Sequence, residues 1–271
     1  MTLTPCDFSM LTGLRVRVGG PIPFDLDMAQ WRAAQLQLLG AIPDINRQGM
    51  VRYSWFYDHF IDIQPATVDE IAQYARGFLM YLLSTTLFAN RENTVGIYLL
   101  GALVHLPRLA EYDWGGASLA TLYCCMSSVS CRKTDLFDGY WRVWEVYTYF
   151  TTLAPVLVRP IELSVPRSRY YNSRFRRRHL VDRTYLYFRR FFDTITADQV
   201  DWHPWAGISP ASRATYAATW YASTMRILFE GPFGRAYYLG ERFIRQTRGV
   251  AHSDVSHPPP PGMKTVDEIH D

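Results

Sequence analysis

A run of apolar segments between residues 67 and 155, separated by short breaks, constrains the fold of this chain most strongly. The first segment opens with Thr67-Val-Asp-Glu70, the pattern of an N-terminal helix capping box, and Pro65 lies just upstream. Apolar residues then recur at helical spacing, at Val68, Ile71, Ala75, Phe78 and Leu82. This pattern predicts an amphipathic helix from Thr67 to about Phe88.

Three further helices are predicted within the same run, over residues 94–106, 115–131 and 139–155. The helix over 94–106 is nearly all apolar and stops near Pro107, and the helix over 139–155 ends at Pro155. Four helices with short connections predict one packed unit over residues 67–155. The predicted fold class is mainly α, a compact multi-helix globular domain with at most a few short strands.

The flanking segments carry weaker patterns. In "TGLRVRVGGPIP", apolar and basic residues alternate before Gly19-Gly20, which predicts a short strand or an extended arm that ends in a turn. Residues 24–43 predict a helix that ends at Gly40, residues 51–61 fit either a strand or a helix, and residues 209–231 predict another helix. Helical spacing further predicts a buried stripe at Val181, Tyr185, Phe188 and Phe192.

Composition sets the extent of the folded part. A hydrophobic content of 48% and an aromatic content of 15% are typical of a globular chain. We predict a single domain over residues 8–255, followed by a Pro-rich, disordered tail over residues 256–271. No secretory signal is visible and the longest apolar runs are too short to span a bilayer, so a soluble, intracellular chain without a membrane partner is expected.

Charge is unevenly distributed along the chain. The total is only +3, but residues 159–248 contain 16 arginines against seven acidic residues, a net charge of +9. The densest part is "RSRYYNSRFRRRHLVDRTYLYFRR", residues 167–190, in which nine of 24 residues are arginine and aromatic residues are interleaved. Arginine presents a planar fork that suits phosphates and carboxylates, so this segment is a candidate binding surface.

Nucleic acid is the ligand that this pattern favours, because several cations at phosphate spacing are what binding to a duplex requires. A weaker second basic group, Arg235, Arg242, Arg245 and Arg248, is a candidate extension of the same surface. Tyr170, Tyr171 and Phe175 either stack on bases or anchor the segment to the core. A solvated charged loop, an acidic partner and the acidic N-terminal half of the chain remain alternatives. The candidate residues are Arg167, Arg169, Arg174, Arg176, Arg177, Arg178, Arg183, Arg242 and Arg245.

Metal binding and catalysis find little support in the sequence. Cys6, Cys124, Cys125 and Cys131 lack the paired spacing of a zinc site and are expected to be buried thiols. The close acid–histidine pairs are Asp58-His59 and Asp201-Trp-His203, and the second is expected to be a structural turn. Phosphate-binding glycine loops and nucleophile elbows are absent. We therefore predict no enzyme activity, no metal and no cofactor.

Seven strings, in order, resemble the plant mobile domain family, and together they cover about residues 8–261. No single motif is diagnostic, but the order of many strings is fairly specific. Two departures are the Arg142-Val-Trp-Glu145 segment and the loss of a Phe-Gly pair after Arg245-Gln246. The strings are "MLTGLRVRVGGPI" (10–22), "VRYSWFYDHF" (51–60), "ARGFLMYLLSTTLFANRENTVGIYLL" (75–100), "LAEYDWGGASLATLYCCM" (109–126), "GYWRVWEVYTYFTTLAP" (139–155), "RFFDTITADQVDWHPWAG" (190–207) and "GPFGRAYYLGERFIRQTRGV" (231–250).

The resemblance implies a mainly α-helical protein of the nucleus, tied to transposon silencing and gene-expression regulation. It also implies partners among phosphatase-like proteins and other plant mobile domain proteins, with a direct contact to DNA suspected. Three hypotheses follow: a nucleic-acid-binding module, a protein-interaction scaffold that recruits phosphatase-like partners without touching DNA, and an element-encoded enzyme. The scaffold hypothesis is motivated by the many Trp and Tyr residues in "VRYSWFYDHF" and "GYWRVWEVYTYF".

Overall fold

The computed structural model describes residues 3–62, 64–131, 133, 148–154, 165–170 and 185–240. The predicted mainly α class is confirmed: helices dominate these residues, which form two small antiparallel sheets of two strands each. The α-helices are α1 Pro5–Thr12, α2 Arg32–Leu39, α3 Tyr53–Phe60, α4 Val68–Thr85, α5 Trp114–Ser130, α6 Tyr185–Thr194, α7 Pro210–Thr215 and α8 Ala217–Ala222. The strands are β1 Met50–Arg52, β2 Thr94–Gly96, β3 Arg226–Gly231 and β4 Gly234–Leu239.

The chain divides into two compact units. Unit 1 comprises Met1–Val16 with Arg142–Ser223, and unit 2 comprises Arg17–Trp141 with Thr224–Asp271. The single domain over 8–255 stays a prediction. The predicted tail over 256–271 and most of the predicted helix over 139–155 lie outside the described residues.

In unit 2, α4 is the central helix and begins as the sequence predicts. The Thr67 hydroxyl accepts a hydrogen bond from the Glu70 backbone N–H, and the Glu70 carboxylate accepts from the Thr67 backbone N–H at 3.0 Å. Helix α3 packs closely against α4, because Gly77 leaves room for the Phe60 ring where a Cβ atom would come within 2.1 Å of it. The buried face of α4 consists of Gly77, Met80, Leu83 and Ser84.

The apolar residues that identified α4 in the sequence lie on its exposed side. Val68 is 82% exposed, Ile71 53%, Phe78 51% and Leu82 40%, and Ala75 between them is half-buried. We call this set the α4 stripe. Their spacing does place them on one face of one helix, but that face points to solvent because Met80 and Leu83 occupy the opposite side, against the core.

The predicted helix over 94–106 is partly wrong. Thr94–Gly96 form β2, which pairs with β1 through Val51 opposite Val95, and Ile97–Leu103 form a 3₁₀ helix. Side chains satisfy the backbone there: Asn90 bonds Thr94 in both directions, and the Arg76 guanidinium donates to the Leu103 and Val104 carbonyls. These tertiary partners replace the bonds that an α-helix would make.

The ambiguous segment 51–61 contains both expected structures, since β1 ends at Arg52 and α3 begins at Tyr53. The predicted helix over 24–43 is split into a 3₁₀ turn, Leu26–Ala29, and α2. Helix α2 ends at Gly40 as predicted, with Gly40 in the left-handed conformation at φ 74°. The predicted strand or extended arm over 13–20 is wrong, because the backbone bends at Arg17 and Gly19, which have φ values of 59° and 108°; the segment ends in one isolated bridge, Gly20 to Tyr112.

Helix α5 confirms the predicted helix over 115–131 to within one residue at either end. The β3–β4 hairpin packs on it, with the Tyr123 and Tyr238 rings stacked at 6.2 Å between centroids. Of the predicted helix over 209–231, the first part is confirmed as α7 and α8, and the last six residues are instead β3, paired with β4. Burial alternates along β3 as in a strand, with Ile227 and Phe229 buried and Leu228 exposed.

Candidate nucleic-acid interface

The structure describes two of the nine candidate arginines. Arg167 and Arg169 both lie in a 3₁₀ turn of unit 1, Arg167–Tyr170, and only the side chain of Arg167 is described. The Arg167 guanidinium carbon is 5.8 Å from the centroid of the Trp205 ring, within range of a cation–π interaction. Outside the described residues are Arg174, Arg176, Arg177, Arg178, Arg183, Arg242 and Arg245, whose roles stay predictions.

A buried carboxylate holds the support beneath Arg167. Asp7 in α1 accepts a hydrogen bond from Trp205 Nε1 at 2.7 Å and another from the Tyr149 hydroxyl at 2.6 Å. Its second oxygen accepts from the backbone N–H and the hydroxyl of Thr4, which caps α1. The Trp205 ring is therefore fixed at its N–H edge, and its face is presented to Arg167. We call Asp7, Thr4, Tyr149 and Trp205 the Asp7 network.

Cys6 lies next to this network and is buried. Its burial, and to a smaller extent the negative charge of Asp7, raises the pKa of the Cys6 thiol well above its ordinary range. Cys6 is thus the inert, buried thiol that the sequence predicts. Cys131 contradicts that prediction because it is exposed, and Cys124 and Cys125 are half-buried.

Helix α6 presents a second basic surface in unit 1. Arg190 is exposed and lines a depression of about 410 Å³, together with Leu186, Tyr187, Phe191 and Thr194. We call these five residues the α6 groove. Among the residues that the structure describes, Arg190 has no ion-pair partner, whereas the neighbouring Arg189 lies 3.8 Å from Asp193. A guanidinium beside aromatic faces can hold a phosphate and stack a base at the same time.

The prediction of a buried stripe along this helix is partly wrong. Phe192 is 45% exposed and Phe188 is half-buried, while Val181 and the Tyr185 side chain are not described. The half-buried Phe191 and the exposed Phe192 both make edge contacts with the buried Phe150 ring. Along the described part of α6, Phe188 and Phe191 are therefore half-buried, and no residue there is fully buried.

Sequence analysis missed the α6 groove as a site, although it identified the basic segment that includes Arg190. The available signal was spacing. Residues 186, 187, 190, 191 and 194 follow the one-face pattern of a helix, and they combine one arginine with two aromatic rings. A search for arginine within a helical aromatic face would have found it.

Several other described arginines serve the fold. Arg76 donates to three backbone carbonyls, and burial lowers its pKa. Arg213 donates to the Ala206 carbonyl at 2.8 Å and lies 6.0 Å from the Trp220 ring. These guanidinium groups already donate to backbone carbonyls, whereas no such bond is made by the Arg190 side chain among the residues that the structure describes, which makes Arg190 the better candidate for a ligand.

Both acid–histidine pairs have local structural roles. The His59 ring stacks on Trp55 at 5.0 Å between centroids. The Asp201 carboxylate accepts a hydrogen bond from the His203 backbone N–H, which makes the turn that the sequence predicts. Across the described ranges, no three His, Cys, Asp or Glu side chains converge as a metal site would require.

Within the part of the chain that the structure describes, no helix combines the length and the apolar character needed to cross a membrane.

Comparison with known proteins places the chain in a class. The plant mobile domain family matches residues 1–249, so the chain belongs to this family and the predicted resemblance is confirmed. It is 30% identical over 156 residues to MAINTENANCE OF MERISTEMS from Arabidopsis thaliana, a match covering 55% of this chain and 32% of that protein. It is 26% identical over 216 residues to MAIN-LIKE 2 from the same plant, covering 77% of this chain and 32% of that protein.

A third relative bears an enzyme's name. The chain is 29% identical over 145 residues to the serine/threonine-protein phosphatase 7 long form homolog of Arabidopsis thaliana, covering 51% of this chain and 10% of that protein. The chain thus matches about a third of the length of the MAIN-type relatives and a tenth of the phosphatase homolog. No solved structure matches it.

Proposed function

We propose that this plant mobile domain is a non-catalytic recognition module that binds nucleic acid through basic, aromatic surfaces of unit 1. The observation that carries the proposal is the α6 groove, where an exposed arginine without an ion-pair partner among the described residues lies beside Tyr187 and Phe191. It belongs to the segment of residues 159–248, with a net charge of +9. Such a surface binds the backbone and stacks bases with little sequence readout.

We place this activity in the nucleus, in transposon silencing and gene-expression regulation. Support comes from the chain's membership of the plant mobile domain family, because resemblance to that family implies a nuclear setting, and from the match to MAINTENANCE OF MERISTEMS. Localisation is tested by imaging a fluorescent fusion of the chain in plant cells. Exclusion from the nucleus would contradict this placement while leaving nucleic-acid binding open to its own test.

A salt titration of DNA binding tests the proposal directly. About six phosphate contacts give a log–log slope of roughly −5 on duplex DNA. Changing Arg174, Arg176, Arg177 and Arg178 to Ala together is expected to make the slope shallower by about three to four units. Single-stranded DNA of the same length should be compared, since stacking in the α6 groove favours unpaired bases.

The matched control removes the same charge elsewhere. Arg15, Arg32, Arg47 and Arg52 are all exposed and lie outside the basic segment, so changing these four to Ala alters the net charge equally. If the control and the test variant lose affinity to the same extent, binding reflects net charge alone and the proposed surface is wrong. An affinity that does not change with salt would also reject it.

A second candidate function is a protein-interaction scaffold that recruits phosphatase-like or other plant mobile domain partners without touching DNA. The specific observation that favours it is the exposed α4 stripe. The exposed ring of Tyr57 lies close to this helix, with its centroid 5.7 Å from that of Tyr81 on α4. Apolar surface of this kind is typical of contact sites. Absence of DNA binding at about 50 mM salt would favour this candidate.

A further inference from the structure

The α4 stripe has the spacing of a helix-pairing seam. Its five residues are separated by three, four, three and four positions, which is the a and d pattern of a coiled coil over two heptads. In a coiled coil such residues are covered by a second helix, yet here four of the five are exposed. The stripe runs about 21 Å along the helix, from Val68 to Leu82.

The positions beside the stripe carry no charge that would oppose a second apolar helix. Ala72 and Leu79 flank it on one side and Tyr74 and Tyr81 on the other, and all four are half-buried. In coiled coils these flanking positions usually hold the charged residues that choose partners. Their absence removes electrostatic discrimination, so the shape of the stripe decides what pairs with it.

The shape of the stripe is close to symmetric about Ala75. Val68 and Leu82 are each seven residues from Ala75, and Ile71 and Phe78 lie four and three residues from it. A two-fold axis through Ala75 therefore sets Val68 of one copy against Leu82 of the other, and Ile71 against Phe78. The small Ala75 then meets its own counterpart where the two helices approach most closely. This is the self-complementarity that a two-fold interface requires.

We propose that the α4 stripe pairs with the α4 stripe of a second copy of this chain, antiparallel and centred on Ala75. Charge supports the antiparallel direction. A parallel pair would bring Asp69 and Glu70 of both copies together at one end. The antiparallel pair separates the two Asp69 residues by about 18 Å along the axis, well beyond the screening length of about 8 Å at physiological salt.

The interface is small, so the association is expected to be weak. A two-helix seam of this length buries less than the roughly 1,200–2,000 Å² of a standard interface, and we expect a Kd on the order of micromolar. Because the contact is apolar, the Kd should hold or tighten as salt is raised. Nucleic-acid binding has the opposite salt dependence.

Sedimentation of the intact chain between about 1 and 100 µM tests the proposal. A shift from the 31.4 kDa monomer to twice that mass is expected. Phe78→Asp places a charge in the seam twice per dimer and should weaken the Kd by at least about 100-fold. Leu26→Asp is the matched control, since Leu26 is 77% exposed but belongs to the 3₁₀ turn Leu26–Ala29 and not to α4, and it should leave the Kd unchanged.

The fold of each variant is checked separately. Phe78 is an exposed residue, so Phe78→Asp is expected to keep the circular dichroism spectrum and thermal midpoint of the parent chain. A chain that remains monomeric at about 100 µM overturns the proposal and leaves the stripe to a helix of another protein. A dimer that Phe78→Asp does not weaken overturns it as well.

Cysteine cross-linking tests the direction of pairing. The background is Cys131→Ser, because Cys131 is exposed. On that background, Ala75→Cys is expected to form a disulfide-linked dimer under mild oxidation, since the two Cα atoms come within the roughly 4–7 Å that a disulfide spans. Val68→Cys should not, because its counterpart lies at the far end of the seam. Cross-linking at position 68 without cross-linking at position 75 would overturn the antiparallel geometry.

This inference deepens the scaffold function by naming the partner, and it rests on the same surface. Its failure is distinguishable from failure of the nucleic-acid proposal, since sedimentation is run without nucleic acid and at high salt. The salt slope of DNA binding for Phe78→Asp, measured on the same preparation, reports on the basic surface alone.

Discussion

The α4 stripe in unit 2 and the basic surface of unit 1 rest on different supports. The stripe lies on a helix whose other side is packed apolar core, with Met80 fully buried beneath it. In the basic surface, Arg167 rests on Trp205, which the buried Asp7 carboxylate holds by a hydrogen bond. An apolar support is non-directional and tolerant, whereas a hydrogen-bonded support fixes orientation and fails when one member is lost.

The largest expected effect is the loss of stability when Asp7, the polar support beneath Arg167, is changed. Asp7→Ala removes the acceptor of the buried Trp205 N–H, one hydrogen bond of the half-buried Tyr149 hydroxyl, and the α1 capping box. An unsatisfied buried group costs about 1–3 kcal/mol, and the lost Tyr149 bond and the lost cap each add about 1 kcal/mol, so we expect a loss of roughly 3–5 kcal/mol in the free energy of unfolding. Urea denaturation followed by tryptophan fluorescence measures it. A loss below about 1 kcal/mol would show that the Asp7 network is not the support of this region.

The second largest expected effect is a difference in stability loss between substitutions on the two faces of α4. Met80→Ala opens a cavity in the core and is expected to cost about 2–4 kcal/mol, whereas Phe78→Ala removes a half-exposed ring and should cost less than about 1 kcal/mol. Both residues lie on the same helix two positions apart, so the helix propensity terms nearly cancel. Equal losses for the two variants, measured by thermal unfolding at low concentration, would contradict the exposed position of the stripe.

A smaller effect separates two neighbouring arginines of α6. Arg190→Ala should weaken binding to DNA by about fivefold to tenfold at low salt and make the slope shallower by about one unit, because it removes one phosphate contact. Arg189→Ala should do less, since Arg189 already lies near Asp193. Fluorescence anisotropy with labelled single-stranded DNA measures both. Equal losses would remove the special role of the α6 groove.

The smallest effect concerns pH dependence in unit 2. Burial raises the pKa of the Asp113 carboxyl above its ordinary value, even though the Gly116 and Arg17 N–H groups donate to it. A raised pKa means that ionisation opposes folding, so stability from this group is present at low pH and is lost as the pH rises from about 3.8 through the folded-state pKa.

Asp113→Asn is expected to remove that part of the pH dependence, because the amide oxygen still accepts from Gly116. Urea midpoints of the two chains between pH 3.5 and 7 give the comparison. As the pH rises, the urea midpoint of Asp113→Asn should increase relative to that of the parent chain. A shift in the opposite direction would mean that the hydrogen bonds to the carboxylate outweigh its burial.

Local signals in the sequence predicted the helices best. The capping box at Thr67 and the stop at Gly40 are where the sequence puts them, because caps involve residues three or four apart. The segments 94–106 and 226–231 were predicted as helix and are not α-helical, since their backbone partners come from β1, β4 and the Arg76 side chain. Those partners are distant in sequence and leave no local trace.

The sequence by itself determined the mainly α class, the helix caps and the separation of charge between segments. Spacing also determined that Val68, Ile71, Ala75, Phe78 and Leu82 share one face of one helix. Only the tertiary structure decided that this face is exposed and that Arg167 lies on Trp205. The physical reason is that periodicity fixes which residues lie together on a helix, whereas burial depends on which neighbouring elements pack against that helix.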